Sequence, residues 1–207
     1  MTKVCIYKLV AFLVFLMFLS QHSSGQIKQD YLIYSSLKGN LGNYYGGGIT
    51  LDLIHKNKYS YGIGFYEHIK KPGNLPTDYK KGALSLLTMG EGVALDNVQS
   101  VSLTLGRVFL SKSNSGIRYN LKAGVTYSVS KTPANWVKLN ESGGLLSMEN
   151  YSYNYKKYCE IGIIINPTID IPLFKFLGFS VGPYSFLNLK TISYGMEFTT
   201  LIGFVKR

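Results

Sequence analysis

Five charged residues lie on the polar side of alternating segments that otherwise carry Gly, Ser and Thr. They are Asp52, Arg118, Lys122, Glu160 and Glu197. If those polar sides face an enclosed interior, each charge must be paired, because an isolated buried charge costs several kcal/mol. The set therefore predicts a salt-bridge network that fills the interior. A narrow ion path and a proteolytic carboxylate site are the functional alternatives.

Nucleophilic catalysis is the second chemistry to consider. Beyond residue 25 the sequence has two histidines, His55 and His68. A serine hydrolase needs a histidine beside a hydroxyl nucleophile, with an acid that orients the ring. The partners that a long loop could bring near His68 are Ser85, Thr88 and Ser147, with Glu91 as the acid. No spacing selects them, so we predict no catalytic residues.

The sequence contains no pattern that indicates a metal or cofactor site. Two histidines without a local cluster of Cys, Asp or Glu do not form a metal site. The run Gly46–Gly48 is more typical of a bend or bulge at a strand start than of a phosphate-binding loop. No nucleotide fingerprint or nucleic-acid-binding module is found. We therefore predict no metal, no cofactor and no nucleic-acid partner.

The elements that carry these residues are long, two-faced strands. From Ile117 to Ser130 apolar and polar residues alternate without a break. Successive side chains of a strand point to opposite faces, so one face is apolar throughout. The segment is longer than the roughly 9–11 residues that a transmembrane strand needs. This length favours a lipid-facing barrel wall.

The same alternation predicts eight strands. They are Gln29–Ser36, Gly46–Ile54, Tyr59–Phe65, Ser100–Leu105, Ile117–Ser130, Tyr151–Asn166, Gly178–Leu189 and Ile192–Phe204. The first and seventh are weaker, and Pro183 indicates a bulge or a kink. Short turns at Lys56–Lys58 and 111–116 alternate with long connections at Ile69–Asn97 and Lys131–Asn150. This asymmetry is typical of outer-membrane barrels.

One connection departs from that rhythm. The segment Ile169–Leu177 is too apolar for a free turn. It is either an interfacial flap or an extension of strand seven, and the sequence leaves both open.

The amino terminus has a different character. Lys3 and Lys8 precede the apolar run Leu9–Leu19, and small residues follow at a distance that suits a signal peptidase. This is the pattern of a secretory signal peptide, and the run is too short to span a membrane comfortably as a helix. We predict a signal peptide at 1–25 and a barrel domain at 26–207.

Composition supports export to a membrane. The chain has a formal net charge of +11, and loss of the predicted signal leaves it basic. An exported basic chain is better suited to anionic lipid or lipopolysaccharide than to nucleic acid. Cys159 would stand alone after cleavage, so no internal disulfide can form. With 17 Tyr, 11 Phe and 16% charged residues, the chain is aromatic-rich and charge-poor for a soluble protein.

Two barrel types share such strands. A lipocalin-like soluble barrel keeps its apolar face inside, whereas a membrane barrel turns it outward. Here the polar faces are small rather than highly charged, as the crowded interior of eight strands requires. Tyrosines also lie near the ends of the apolar stripes, as in an interfacial girdle. They are Tyr45, Tyr59, Tyr119, Tyr127, Tyr151 and Tyr153. These features favour the membrane barrel.

The segment Gly178–Tyr184 and the glycine-punctuated last strand resemble the small eight-stranded outer-membrane proteins of Gram-negative bacteria, of the OmpX and OmpA-barrel type, and in particular the versions common in Bacteroidetes. The resemblance covers Gln29–Arg207 in architecture. It implies an up-and-down transmembrane barrel, inserted by an assembly machinery that reads an aromatic residue ending the last strand. Phe204 is in phase for that role, although Val205–Arg207 follow it.

The long loops are the predicted seat of binding, because function concentrates on loops held by a rigid scaffold. The basic candidates in the first long loop are Lys70, Lys71, Lys80 and Lys81, beside the apolar segment Ala83–Met89. We predict a non-catalytic structural or surface-binding barrel of the Gram-negative envelope, with lipopolysaccharide phosphates or a host surface as partner. The alternatives are a barrel enzyme acting on lipid A or peptides, and a soluble lipocalin-like carrier.

Overall fold

The computed structural model describes residues 31–80, 93–111, 116–139 and 149–206. The chain divides into units 1–31 and 32–207, and Tyr31 is the one described residue of the first. The predicted signal peptide lies outside the described residues. The strands are β1 Tyr31–Gly42, β2 Tyr45–His55, β3 Tyr59–Lys70, β4 Asp96–Leu110, β5 Arg118–Lys138, β6 Tyr151–Pro172, β7 Leu177–Asn188 and β8 Ile192–Gly203.

The eight strands form a closed antiparallel barrel in sequential order. β8 pairs with β1, for example at Tyr34↔Gly203, so closure leaves no free sheet edge. The predicted eight-stranded up-and-down barrel is confirmed. The β2–β3, β4–β5 and β6–β7 connections lie at one end, called here the turn end. The longer β3–β4 and β5–β6 connections lie at the other, the loop end.

The turn at Lys56–Lys58 shows how local sequence sets the strand pairing. Lys56 and Asn57 have positive φ angles of 53° and 52°, which is the conformation of the tight hairpin turns that match strand twist. Lys58 N–H donates to His55 O over 3.0 Å. The turn predicted from sequence is therefore present and fixes the β2–β3 register.

Several strands are longer than their sequence pattern predicts, and β5 shows the reason most clearly. Lys131–Lys138, predicted as loop, continues β5 and pairs with β6. A register shift between Ala134 and Val137, with Asn135 at a φ of 57°, breaks the alternation there. The predicted long connection was therefore wrong over these residues, because a β-bulge adds one residue and reverses the parity.

The apolar segment Ile169–Leu177 is not an extension of strand seven, which was one of the two alternatives left open. Residues up to Pro172 complete β6, and a turn of exposed apolar residues follows before β7 begins at Leu177. The irregularity predicted at Pro183 is an interruption of the β6–β7 ladder, which stops at Ile165↔Ser185 and resumes at Ile169↔Val181. Proline has no N–H to donate, so pairing is lost there.

The barrel is apolar outside and polar inside. Exposed aliphatic and aromatic residues, such as Ile63, Leu103 and Phe198, cover its outer wall, whereas most of the buried residues are Ser, Thr, Asn or charged. A soluble lipocalin-like barrel has the opposite arrangement, so that alternative is excluded. Among the described residues no helix is long and apolar enough to cross a membrane.

The predicted tyrosine girdle is partly present. Tyr59 and Tyr119 are exposed near the turn end, and Tyr45 and Tyr127 near the loop end. Tyr151 and its neighbour Tyr153, in contrast, belong to a part of β6 that extends beyond the other strands. Four of the six predicted tyrosines therefore lie near the ends of the shared barrel wall, and two lie on a hairpin beyond it.

Candidate functional site

The interior of the barrel is filled by side chains. One apolar cluster closes the turn end, and it consists of Leu32, Tyr34, Ile54, Val108, Leu201 and Val205. A second lies toward the loop end and consists of Tyr66, Ile164, Tyr184 and Phe186. Two interior cations approach these clusters: Lys38 Nζ is 5.4 Å from the Tyr66 ring, and Arg118 Cζ is 5.8 Å from the Tyr34 ring.

The closest ion pair in this interior joins Lys38 and Glu197. Lys38 Nζ lies 2.7 Å from Glu197 Oε1, and both side chains are 1% exposed. Lys38 Nζ also donates to Asn166 Oδ1 over 3.3 Å, and Asn166 Nδ2 donates to Pro183 O over 3.2 Å. The ion pair is thereby tied to the place where the β6–β7 ladder is interrupted.

Asp52 and Lys122 form the second pair, with Nζ 3.3 Å from Oδ1. The other carboxylate oxygen of Asp52 accepts from Thr50 Oγ1 over 2.6 Å and from Ser36 Oγ over 3.0 Å. Gly62 makes room for this group, because a Cβ there would lie 2.9 Å from Asp52 Oδ1. Two of the five sequence-predicted residues are therefore in direct contact.

Arg118 is held at the turn end by a residue that the sequence interpretation left in a connection. Arg118 Nε lies 3.9 Å from Asp170 Oδ2, and Nη1 donates to Val205 O over 2.8 Å. Asp170 also accepts from Ser180 and Thr168. The carboxyl-terminal segment is thus held inside the turn end of the barrel by the bond from Arg118 to Val205.

Glu160 has no lysine or arginine within ion-pair distance in the part of the chain that the structure describes. Its Oε1 accepts from Ser130 Oγ over 2.7 Å and from Thr191 Oγ1 over 3.0 Å, and its Oε2 accepts from Lys190 N–H over 2.7 Å. The five predicted residues consequently do not form one network. Asp52 and Lys122 pair with each other, whereas Glu197 pairs with Lys38 and Arg118 with Asp170. Glu160 accepts only from uncharged donors.

His68 is buried among aromatic rings rather than beside a nucleophile. Its ring stacks on Tyr184 at 5.6 Å and meets Phe186 edge-on at 4.9 Å. Asn40 Nδ2 lies 2.8 Å from Nε2. No serine, threonine or cysteine of the described ranges bonds to this ring, and the four partners weighed for it (Ser85, Thr88, Glu91, Ser147) lie outside those ranges. The geometry is that of a packed core histidine.

The loop end carries a hairpin that extends beyond the barrel. β7 pairs with β6 only as far as Gly162↔Asn188, and β4 reaches β5 at Asn97↔Lys131. Beyond these points β5 and β6 pair with each other alone, as far as Lys138↔Tyr151. We call these residues, 131–138 and 151–157, the hairpin extension. An isolated two-stranded ribbon is marginally stable, so it needs support.

The support comes from residues 71–80, called here the strap. Asp78 accepts from Lys138 Nζ and from Tyr151 OH, each over 2.6 Å. Asn74 Nδ2 donates to Pro133 O over 2.8 Å. The two bonds to Asp78, chiefly the one from Lys138, hold the pKa of its carboxyl below its usual range. Hydrogen bonds and charge therefore hold the strap against the hairpin extension.

Aromatic packing adds to this support. The Trp136 ring lies 4.9 Å from Tyr153 and 5.7 Å from Tyr79. Tyr79 OH bonds to Glu149, and burial raises the pKa of the Tyr79 hydroxyl to about 12. Trp136 is the single tryptophan of the chain. The strap and the hairpin extension are therefore packed together and form one surface at the loop end of the barrel.

The lysines predicted for surface binding occupy different settings. Lys70 Nζ lies 4.6 Å from the ring of Tyr44, which is buried. Lys71 and Lys80 are exposed on the strap. Lys81 and the apolar segment Ala83–Met89 lie outside the described residues.

The fold is similar to those of known barrels. The β-barrel domain of OprF from Pseudomonas aeruginosa is 12% identical, with a TM-score of 0.48, over 86% of this chain and 100% of that chain. Ail from Yersinia pestis, in complex with the heparin analogue sucrose octasulfate, is 8% identical with a TM-score of 0.44, over 84% and 96%. A second structure of Ail from Yersinia pestis is 9% identical, with a TM-score of 0.45, over 84% of this chain and 95% of that chain. No family model matches the chain, and no curated protein matches it in sequence.

Proposed function

We propose that this chain is a non-catalytic, surface-binding barrel of the Gram-negative outer membrane. The observation that carries the proposal is the built surface at the loop end. A hairpin extension and a strap are joined there by Asp78, Trp136 and their partners, outside a barrel whose lumen is filled. A barrel with no room for a passenger and a supported projection above it is suited to present a surface.

Transport and catalysis are less well supported than surface binding. Eight strands leave just enough space for side chains, and the two apolar clusters, around Val205 and around Phe186, fill separate parts of the interior. His68 is 1% exposed, so a lipid or peptide substrate does not reach its ring. The His68→Ala variant is expected to leave the lipid A profile, measured by mass spectrometry, unchanged.

The charge of the strap indicates the chemistry of the partner. Asp78 is engaged by Lys138, and Glu149 is engaged by Tyr79. Lys71 and Lys80, in contrast, are exposed, and the chain as a whole is basic. An anionic surface ligand, such as the phosphates of lipopolysaccharide, fits this balance. Insertion by the barrel assembly machinery belongs to the same proposal, with exposed Phe204 as the terminal aromatic residue.

The test uses the whole mature chain reconstituted in vesicles. The Lys71→Gln/Lys80→Gln variant is expected to lose most of its binding to a lipopolysaccharide-coated surface, and added salt should weaken the wild type likewise. The matched control is Lys56→Gln/Lys58→Gln at the turn end, which removes the same charge and should bind as the wild type does. Equal binding by both variants would refute the role of the strap, and recovery of the native chain in the soluble periplasm would refute the membrane assignment.

A further inference from the structure

Two lysines of the hairpin extension occupy directly opposite positions on β5 and β6. Lys131 on β5 is directly opposite Lys157 on β6 in the antiparallel register. Side chains at such positions have Cβ atoms only about 4.5–5.5 Å apart, and like charges placed there are destabilising. The pair therefore calls for an explanation beyond packing.

Both lysines point away from the lumen, toward the side that faces the membrane. The preceding pair on the same face is Val129↔Cys159, and Cys159 is exposed. Below it, Tyr127 and Ile161 are directly opposite and both more than half exposed. The lysine pair thus lies at the upper edge of the apolar belt, where lipid headgroups meet a membrane barrel.

Among the described residues, no carboxylate is paired with either lysine. Neither lysine makes a hydrogen bond, ion pair or ring contact within the described ranges. Asn97, which is beside Lys131 in the β4–β5 register, donates instead to Glu67 Oε1 over 2.7 Å. The carboxylate of Glu160 accepts from Ser130, Thr191 and the Lys190 backbone. Within the described ranges, this face therefore carries two cations and no anionic partner.

We propose that Lys131 and Lys157 together bind the phosphate of an anionic lipid in the leaflet around the loop end of the barrel. Two ammonium groups on neighbouring strands approach one phosphate from both sides and donate charge-assisted hydrogen bonds to its oxygens. Their long stems lie along the apolar wall while the charged ends reach headgroup level. The proposal rests on the barrel lying in a membrane, but not on the strap binding any ligand.

The experiment counts the lipids that remain on the folded full-length mature chain. The protein is taken from micelles that contain equal amounts of phosphatidylglycerol and phosphatidylcholine, and retained lipids are measured by native mass spectrometry. The wild type should retain one phosphatidylglycerol in preference to phosphatidylcholine. Lys157→Gln should weaken that retention about fivefold, and Lys131→Gln/Lys157→Gln about thirtyfold, because each lysine near an anionic surface contributes about a factor of five.

Lys156→Gln is the matched control. Lys156 is the next residue of the same strand, also exposed, but its partner in the register is Thr132 and it points to the opposite face. It removes the same charge and should leave retention unchanged. Equal loss in the Lys156→Gln and Lys157→Gln variants would show a general charge effect and overturn the proposal.

A charge reversal supplies a second arm that does not depend on stability. Lys131→Glu places an anion opposite Lys157, so it should relieve the repulsion and still abolish retention of phosphatidylglycerol. Undiminished retention would refute the proposal. So would equal retention of both lipids by the wild type, or complete displacement of phosphatidylglycerol by excess inorganic phosphate, which would indicate a soluble anion as the ligand. Migration of the unheated protein on a gel confirms that each variant is folded.

Discussion

Replacing Lys38 by methionine tests how strongly the barrel depends on the pairing of its interior charges. The substitution removes the ammonium group but keeps an unbranched side chain of similar length. Glu197 then remains 1% exposed, with Oε1 accepting only from Thr199 Oγ1 over 3.3 Å. Its Oε2 has no partner among the described residues. We expect this variant to be strongly destabilised.

The magnitude follows from the geometry. At the 2.7 Å separation of Nζ and Oε1, and with an effective dielectric constant of roughly 20, the attraction is about 6 kcal/mol. Much of this offsets the removal of both charges from water, so the intact pair adds little net stability. Leaving Glu197 unpaired is different, and typically costs about 3–5 kcal/mol. The Lys38→Met/Glu197→Leu variant should lose only about 1–2 kcal/mol, because neither member of this pair is left as an unpaired buried charge.

The assay is urea unfolding of the chain in lipid vesicles. Migration of unheated protein on a gel reports the barrel, and the fluorescence of Trp136 reports the hairpin extension. The two transitions must coincide for a two-state free energy to be meaningful. If each single variant loses about 3–5 kcal/mol and the double variant about 1–2 kcal/mol, the coupling energy is at least about 4 kcal/mol. A loss below about 1 kcal/mol for Lys38→Met, or additive losses in the double variant, would refute the reasoning.

Three further perturbations have defined outcomes. Gly64→Val places a Cβ 2.6 Å from a threonine methyl group and 2.7 Å from a tyrosine ring inside the lumen. It should cost at least about 1–3 kcal/mol, whereas Gly39→Val, whose nearest atom is at 4.0 Å, should cost much less; equal losses on the same gel assay would refute this. Asp78→Asn should speed protease cleavage within 71–80. Because folding lowers the pKa of Asp78, the strap of the wild type should resist cleavage equally at pH 7 and pH 5 and weaken only below about pH 4; unchanged cleavage of the variant would contradict this. Arg118→Met removes the donor to Val205 O and should expose the carboxyl terminus to carboxypeptidase, and full protection would argue against that anchor.

The sequence predicts the fold well where alternation is unbroken. The strand through Leu121 and Tyr127 is recognised because parity alone separates the lipid-facing and lumen-facing sides. Parity fails beyond Pro133, where the bulge at Asn135 shifts it. Parity also fails at Pro167, where the β6–β7 pairing is interrupted. In the sequence this position has the pattern of a turn, although β6 continues through it. Strand ends are therefore the part of the architecture that local pattern cannot supply.

The interior site is predicted only in part for a related reason. Parity assigns Asp52 and Lys122 to the lumen, and the structure brings them together. It gives the face of a residue but not its height along the barrel, which depends on register. Lys38 was missed because the predicted first strand stopped two residues earlier, and Asp170 because it was assigned to a connection. The ion partners of Glu197 and Arg118 were lost with them.

The composition of the loop end is informative because neither the lipid nor the lumen dictates it. Beyond Lys131 and Lys157 at its base, both faces of the hairpin extension are free of these constraints, so a polar ribbon would suffice. Trp136, Tyr79 and Tyr153 are found there instead. Part of their role is structural, since a lone hairpin is marginally stable without packing. The side chains that this packing does not use, Lys71 and Lys80 above all, are therefore the ones available to a ligand, and their removal should affect binding without affecting the fold.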